Sequence, residues 1–386
     1  MQCIFSDNMV HAQMKPLTFT RPVSQLRFGI LTIQETWISL LSIKDEINSI
    51  GYHTENYLEE KFPSIPTTDT TLIIAGNIKP TQEIVDWVYT LQNGESLIIN
   101  NLFVAQRGEG ESKKINKEVT TLLSVAHPWE LFQKNGDAIK VDYDILTKNK
   151  TSQPLSDSNR VIGSNNIFIA EGAKAECAIF NTSDGPIYIG KDAEVMEGSI
   201  IRGPFALNEH AVVKMGAKIY GPTTIGPHCK VGGEISNCIF QAYSNKGHDG
   251  FLGNSVIGEW CNFGADSNSS NLKNNYSKIK VHSFVSNQLE QESLTFCGVL
   301  MGDHSKTGIN TMLNTGTVVG VSANIFGAGF PPKYIPSFSW GGAESSTNFD
   351  FDKAIIVAEN MMARRSLDLS AADRKILRTI HDELAQ

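Results

Sequence analysis

Between Ile189 and Ile235 an aliphatic residue falls on every sixth position: Ile189, Val195, Ile201, Leu207, Val213, Ile219, Ile225 and Val231. Four residues after each comes a smaller or apolar one: Ala193, Ser199, Phe205, Ala211, Ala217, Thr223, Cys229 and Ile235. A period of six is neither that of a helix nor that of a strand. It is the hexapeptide repeat of a parallel β-helix, in which each repeat supplies one short strand and one corner. The aliphatic residue points into the coil and its small companion sits near the corner. No coil buries its inner face alone, so coils must stack.

The repeat logic covers 161–329. It begins imperfectly at Ile169 and Ala175 and breaks near Glu234. It resumes at Phe251, Ile257 and Phe263, and breaks again over 268–295. It returns at Met301, Thr307, Leu313, Val319 and Ile325, with Ser305, Thr311, Thr317 and Ala323 as the small companions. Both breaks are expected to be loops leaving the stack at a corner. Loops on a rigid scaffold are the usual seat of binding and catalysis.

The rest of the chain has other rhythms. Residues 1–150 alternate strand and helix patterns, as in an α/β domain. A helix is expected from Gly29 past Trp37, a strand at 72–77, a helix from Pro80 closed by Asn93 and Gly94, and a strand from Glu95. Residues 151–160 are polar, contain Pro154 and read as a linker. After the β-helix domain (161–330), residues 331–386 form an aromatic segment and two helices, 352–365 and 370–384. The second helix carries a Ser370–Asp373 capping box and an apolar face of Ile376, Leu377, Ile380 and Leu384.

A length of 386 residues allows two or three domains. The net charge of −8 gives no basic footprint for nucleic acid. No run approaches the ~20 apolar residues of a membrane span, and the first residues lack the apolar core of a signal peptide. Cytoplasm is the simplest compartment. The six cysteines lack any CxxC spacing and read as reduced core thiols, Cys229 and Cys261 on inward positions.

His248 stands between glycines where the repeat resumes. An imidazole held by a coil yet facing solvent suits a proton acceptor; a plain surface turn is the rival reading. His210, His228 and His304 occupy turn positions. No close His pairing points to a metal, and none is expected.

The strings GEISNCIFQAYSNKGHDGFLGNSVIGEWCNFGADSNSSNLKNNY, KPLTFTRPVSQLRFG, GPIYIGKDAEVMEGSIIRGPF and GDHSKTGINTMLNTGTVVG resemble the GlmU-like family of bifunctional sugar-1-phosphate nucleotidyltransferase/N-acetyltransferases, closest to its Bacteroidetes-type and archaeal variants. The resemblance implies a left-handed β-helix, a homotrimer with sites between subunits, and acetyl-CoA as co-substrate. It implies acetylation of an amino-sugar 1-phosphate, glucosamine 1-phosphate foremost, on the route to UDP-N-acetylglucosamine and cell-wall precursors. His248 matches the general base and Arg202 a phosphate anchor. Glu234, Asn262 and Asn271 match residues around the sugar, and Ala265 falls where acetyl-CoA approaches. Lys246 and Lys273 are further candidates for phosphate contacts, and the 268–295 loop for part of the acyl-CoA groove. Phe251 and Leu272 replace two tyrosines of the family pattern.

The front domain departs further from that pattern. It is short, and it lacks the glycine-rich loop whose N–H groups cradle nucleotide phosphates. Asn77 stands where the family holds Mg²⁺ with an aspartate, and an amide is a poorer ligand. Asp7, Lys15 and Arg21 remain candidates for binding a nucleotide or sugar phosphate, with Mg²⁺ and an NTP required only if the domain is active. Two alternatives to acetyl transfer stand: a nucleotidyltransferase forming a UDP-sugar whose β-helix only assembles the oligomer, and a non-catalytic nucleotide-sugar binding protein.

Overall fold

All eight residues of the six-residue series are buried, as are the eight small or apolar residues that follow them. They line the inside of a parallel β-helix in a computed structural model. The structure describes residues 1–384 apart from Asn8, Glu111, Ser112 and Asn165, and of Leu384 only the backbone. Each coil has three faces. Face A includes Ile200–Arg202 and Lys218–Tyr220. Face B includes Phe205–Leu207 and Thr223–Ile225. Face C includes Val212–Val213 and Lys230–Val231. On each face a strand pairs in parallel with the strand one coil away, so the ladder hydrogen bonds run along the stack.

The break at Glu234 is not a loop. The strand Glu234–Phe240 runs from face A into face B without leaving the stack, and Phe251–Ile257 repeats this one coil on. In lower coils the corner between these faces is a Gly-Pro pair, Gly203-Pro204 or Gly221-Pro222; here one asparagine in left-handed backbone, Asn237 (φ 52) or Asn254 (φ 48), makes the bend. A shorter corner shortens the coil, and the six-residue phase slips. The slip corrects one expected inward residue: Leu252 pairs with Ile235 and is buried, whereas Phe251 pairs with Glu234 and faces out.

The second break is a true excursion, and it leaves from the same corner. Asn271 ends the coil, and Cys297 N–H donates to its carbonyl on return (2.9 Å). In between lies an antiparallel hairpin, Lys280–Ser283 with Gln288–Gln291. The side-chain amides of Asn237, Asn254 and Asn271 form a ladder, with Asn271 Nδ2 donating to Asn254 Oδ1 at 2.7 Å.

The front domain is a six-stranded sheet: β1 (Gln2–Ser6), β2 (Ser49–His53), β3 (Leu72–Ala75), β4 (Glu95–Ile99), β5 (Leu102–Arg107) and β6 (Lys113–Lys117), in the order β2-β1-β3-β5-β4-β6. Three helices pack with it: α1 (Ile33–Leu41), α2 (Gln82–Tyr89) and α3 (Pro128–Thr147). The first starts later than expected because Thr32 and Glu35 form a capping box there, while Gly29 sits in a turn at φ +88. A Cβ on Gly29 would lie 2.5 Å from Asp142 Oδ2. Asp142 is the domain's central polar group. Its carboxylate, itself fully buried, accepts from Lys79 Nζ (2.8 Å), Thr36 Oγ1 (3.0 Å) and the Ile30 and Leu31 N–H groups. It thereby ties α3 to α1 and to the end of β3.

Helices α4 (Phe351–Ala363) and α5 (Ala371–Thr379) follow the β-helix. Ser370 Oγ accepts from Asp373 N–H, which is one half of the expected capping box. Ile376, Leu377 and Ile380 are buried in one cluster with Phe338, Phe351 and the front domain's Phe19 and Leu58; the Leu384 side chain lies outside the described residues. Five cysteines are buried and free, and Cys177 is exposed at a corner. Among the described residues no helix is long and apolar enough to cross a membrane.

Asp142→Ala leaves Lys79 with an uncompensated charge in the core. It is expected to destabilise the protein by ~3–5 kcal/mol, read as a shifted denaturation midpoint in urea.

Candidate active site

Strand residues on face C alternate in and out, and the outward ones form a column: Lys230, Asn245, Asn262 and Lys306. This column floors a cleft of about 860 Å³. Its roof is α4, through Val357, Asn360 and Met361 and the two arginines at its end, Arg364 and Arg365. One rim is the corner between faces C and A, with His248, Ala265 and Ile309; the other carries Tyr243 and Trp260. Those two rings belong to a stack along the corner between faces B and C, in the order His210, His228, Tyr243, Trp260, His304, with neighbouring centroids 4.2–6.4 Å apart. Every member has positive φ, between 54° and 60°. The three histidines thus occupy turn positions, as expected, but they stack rather than project freely. Among the described residues no three His, Cys, Asp or Glu side chains converge on a metal position.

The cleft is strongly cationic. Lys214, Lys230, Lys306, Arg364 and Arg365 line it, and among the described residues no Asp or Glu does. Arg365 Nη2 donates to the His228 carbonyl, and Lys306 Nζ to the His304 carbonyl (2.7 Å). Among the described residues Lys214, Lys230 and Arg364 have no carboxylate partner. Burial lowers the Lys306 ammonium to about 8, and burial together with Arg365, Lys214 and Arg364 lowers Lys230. Clustered, desolvated cations of this kind gain most from an anionic ligand.

Of the residues expected to act together, the structure brings His248, Asn262 and Ala265 to this cleft. Glu234 and Arg202 lie round the corner on face A, where Arg202 is exposed and pairs with Asp184 (2.8 Å). Asn271 is a member of the amide ladder at the corner between faces A and B. The excursion it opens runs toward the front domain, not along the cleft, so within one chain it forms no acyl-CoA groove; Ile279, Val281 and Leu294 pack into the front-domain core. Lys273 is engaged within that excursion, donating to the Lys278 carbonyl (2.6 Å). Lys246 is no surface phosphate ligand either. It takes an inward position on face C, is 1% exposed, and donates only to backbone carbonyls. Sequence reading missed Lys214, Lys230, Arg364 and Arg365. The lysines carry a readable signal, outward positions one coil apart; the arginines carry none until α4 is placed.

In the front domain, Arg21 is the clear correction. Its guanidinium is buried and paired with Glu259 (2.5 Å) and Asp303 of the β-helix, and Thr20 Oγ1 also donates to Asp303 (2.6 Å). It is a docking residue: its two terminal nitrogens are taken by carboxylates, and its unpartnered Nε is buried. Asp7, at the end of β1, is occupied too: it accepts from Val23 N–H (2.8 Å) and Thr54 Oγ1. Asn77 Nδ2 donates to the Val125 carbonyl (3.0 Å). With both oxygens engaged by donors within the domain, Asp7 does not make a fitting Mg²⁺ site. Lys15 is half-buried, lies 4.9 Å from the Phe19 ring centroid, and lines a small pocket shared with the hairpin.

A β-helix with a cationic cleft, carrying an α/β domain on its flank, defines a two-domain hexapeptide-repeat protein. Residues 2–151 match the family model described as sugar nucleotidyl transferase, and α3 ends just short of that boundary. The chain is 26% identical over 253 residues to the bifunctional sugar-1-phosphate nucleotidylyltransferase/acetyltransferase of Sulfurisphaera tokodaii, over 64% of this chain and 59% of that protein. It is 36% identical over 87 residues to the bifunctional protein GlmU of Methanocaldococcus jannaschii, over 22% of this chain and 21% of that protein. A solved UDP-N-acetylglucosamine acyltransferase from Campylobacter jejuni aligns at 16% identity and TM-score 0.25, over 59% of this chain and 96% of its own; at that score the likeness carries no weight. The chain thus resembles bifunctional sugar-1-phosphate transferases over part of its length, and it spans less than two thirds of either curated relative.

Burial raises the Asp7 carboxyl from 3.8 to about 6, against hydrogen bonds from Thr54 and Val23 that pull it down. The fold therefore holds this proton more tightly than the unfolded chain does. The associated stability is full below the unfolded value and is lost as pH rises through about 6. Asp7→Asn, which cannot ionise, is expected to stabilise the protein above neutrality and to have little effect at acid pH, read as denaturation midpoints at the two pH values.

Proposed function

We propose that the β-helix is an acetyl-CoA-dependent N-acetyltransferase acting on an amino-sugar 1-phosphate, with glucosamine 1-phosphate the first candidate. The observation that carries this reading is the meeting of His248, Asn262 and Ala265 in a cleft with five cations and, among the described residues, no carboxylate. A sugar ammonium has no lone pair. His248 takes its proton, and the freed amine attacks the thioester carbonyl. The C–S bond then breaks, the imidazolium returns its proton to the departing thiolate, and the second proton on the acylated nitrogen is released to water. Lys214, Lys230, Arg364 and Arg365 suit the phosphates of the acyl donor, and Asn262 offers an amide to the bound substrates.

A homotrimer fits the same reading. Faces B and C carry the front domain and α4, whereas face A exposes Ile162, Ile200 and Tyr220. Glu234 and Arg202 lie on that face, so a partner's cleft could be completed by them.

His248→Ala is expected to lower kcat by ~10²–10⁴-fold in a CoA-release assay, with the oligomer unchanged; wild-type turnover would sink the assignment. Arg364→Ala is expected to raise KM for acetyl-CoA, by less at high salt as screening weakens the contact. Ile200→Glu is expected to dissociate the trimer in light scattering.

The front-domain family match favours a second activity, nucleotidyl transfer to a sugar 1-phosphate. The engaged states of Asp7 and Arg21 weigh against it. Pyrophosphate release from an NTP, sugar 1-phosphate and Mg²⁺ decides between them.

A further inference from the structure

The inward column of face C is apolar or small at almost every level: Ala175, Val195, Val213, Val231, Phe263, Thr307 and Ile325. Lys246 is the exception, paired between Val231 below and the Phe263 level above. A lysine placed inside a coil is costly unless its ammonium finds acceptors. Here it finds three. Nζ donates to the carbonyls of His248 (2.5 Å), Asp249 (2.8 Å) and Gly232 (3.4 Å). Two of these belong to the turn that carries the candidate base, and the third to the turn one coil below.

The turn that carries His248 is tied to its neighbouring coils at Asp249 and Gly250, whose carbonyls accept from Asp266 N–H and Glu234 N–H (3.1 Å each), while among the described residues the His248 carbonyl takes its hydrogen bond from Lys246. Gly247 and Gly250 flank it, and nothing lies within 4 Å of where a Gly247 Cβ would be. Gly250 has φ +111. The His248 ring is exposed and makes no hydrogen bond within the described residues. Its placement therefore depends on the backbone that bears it. A neighbouring backbone contact supports the same geometry: a Cβ on Gly233 would lie 2.9 Å from the His248 carbonyl oxygen. The lower turn and the ammonium enclose that carbonyl from two sides.

We infer that Lys246 is a positioning residue for the acetyl-transfer reaction: its buried ammonium fixes the His248 turn from inside the coil, setting the base against the substrate amine. This rests on the assignment of His248 under the proposed function. Lys246 touches neither substrate nor reacting atoms.

The test compares Lys246→Met, Lys246→Gln and His248→Ala in the full chain, with acetyl-CoA and glucosamine 1-phosphate as substrates. Lys246→Met keeps the length of the side chain and removes every donor; Lys246→Gln keeps an amide donor. A misplaced catalytic group costs on the order of 100-fold in rate, so Lys246→Met is expected to lose about that much kcat with KM near wild type. Replacing a buried charge with an apolar chain need not destabilise, so its melting temperature is expected to hold or rise. Lys246→Gln is expected to recover part of kcat. Wild-type kcat in Lys246→Met beside an inactive His248→Ala overturns the inference and leaves the function standing. A kcat loss that tracks a fall in melting temperature, with no recovery in Lys246→Gln, assigns Lys246 a purely structural role and also overturns it. An active His248→Ala removes the function itself, and the inference with it.

Discussion

The architecture depends on one departure from an ordinary β-helix: a stripe of outward-facing apolar residues on face B. Ile239, Val256, Leu300 and Val318 point away from the coil interior, and all are buried. They belong to the same cluster as the front domain's Phe5, Leu17, Phe28 and Trp37. A bare stripe of this kind would be a standing apolar patch. The α/β domain covers it, and polar contacts at its margins set the register. Gln241 accepts from the Arg27 N–H at 2.6 Å, Asn135 donates to Thr224 at 3.1 Å, and Arg21 spans Glu259 and Asp303. The excursion beyond Asn271 fits the same scheme, since its apolar residues extend the seat and its hairpin borders the front domain. The two domains thus share one core, which is why Arg21, a phosphate-site candidate of the front domain, turns out to be committed to docking.

The coil interior was legible from sequence because inward positions admit so few residue types. The six-residue series therefore located the strands on all three faces. The slip at Leu252 was not legible, because replacing a Gly-Pro corner with Asn237 alters the spacing without altering the composition. Face B's outer stripe was hidden for a related reason: Ile239 and Val256 look like ordinary strand residues until one knows which side of the strand is already spoken for. At the site, His248 stood out by its place between glycines where the repeat resumes, Asn262 and Ala265 were found through a family likeness, and the fold brings all three to one cleft. Lys246 and Arg21 were misjudged because a cation in a sequence reads as solvent-facing, and only packing reveals the carbonyls or carboxylates around it. The arginines of α4 became visible only once that helix was laid over face C.

The site also shows how the stack divides its labour. The corner between faces B and C carries rings stacked in left-handed backbone, a stiff spine on the inner side of the cleft. The corner between faces C and A is glycine-rich and carries His248. One wall is rigid by stacking and the other is shaped by backbone and a buried ammonium, while α4 closes the top with charge. A cleft built this way keeps the exposed His248 imidazole apart from the clustered cations.

The corner between faces A and B is spanned by one asparagine at Asn237 and Asn254, and one level higher by the whole excursion between Asn271 and Cys297. The ladder above and below is the same in either case. The chain ends at that corner are already adjacent, so the entropy of closing a longer connection grows only with the logarithm of its length. The coil frame is in effect blind to how much polypeptide leaves there. Such a corner is a port through which a lineage of β-helices can acquire a new lobe, or an engineer can graft one, without rewriting a single inward-facing residue.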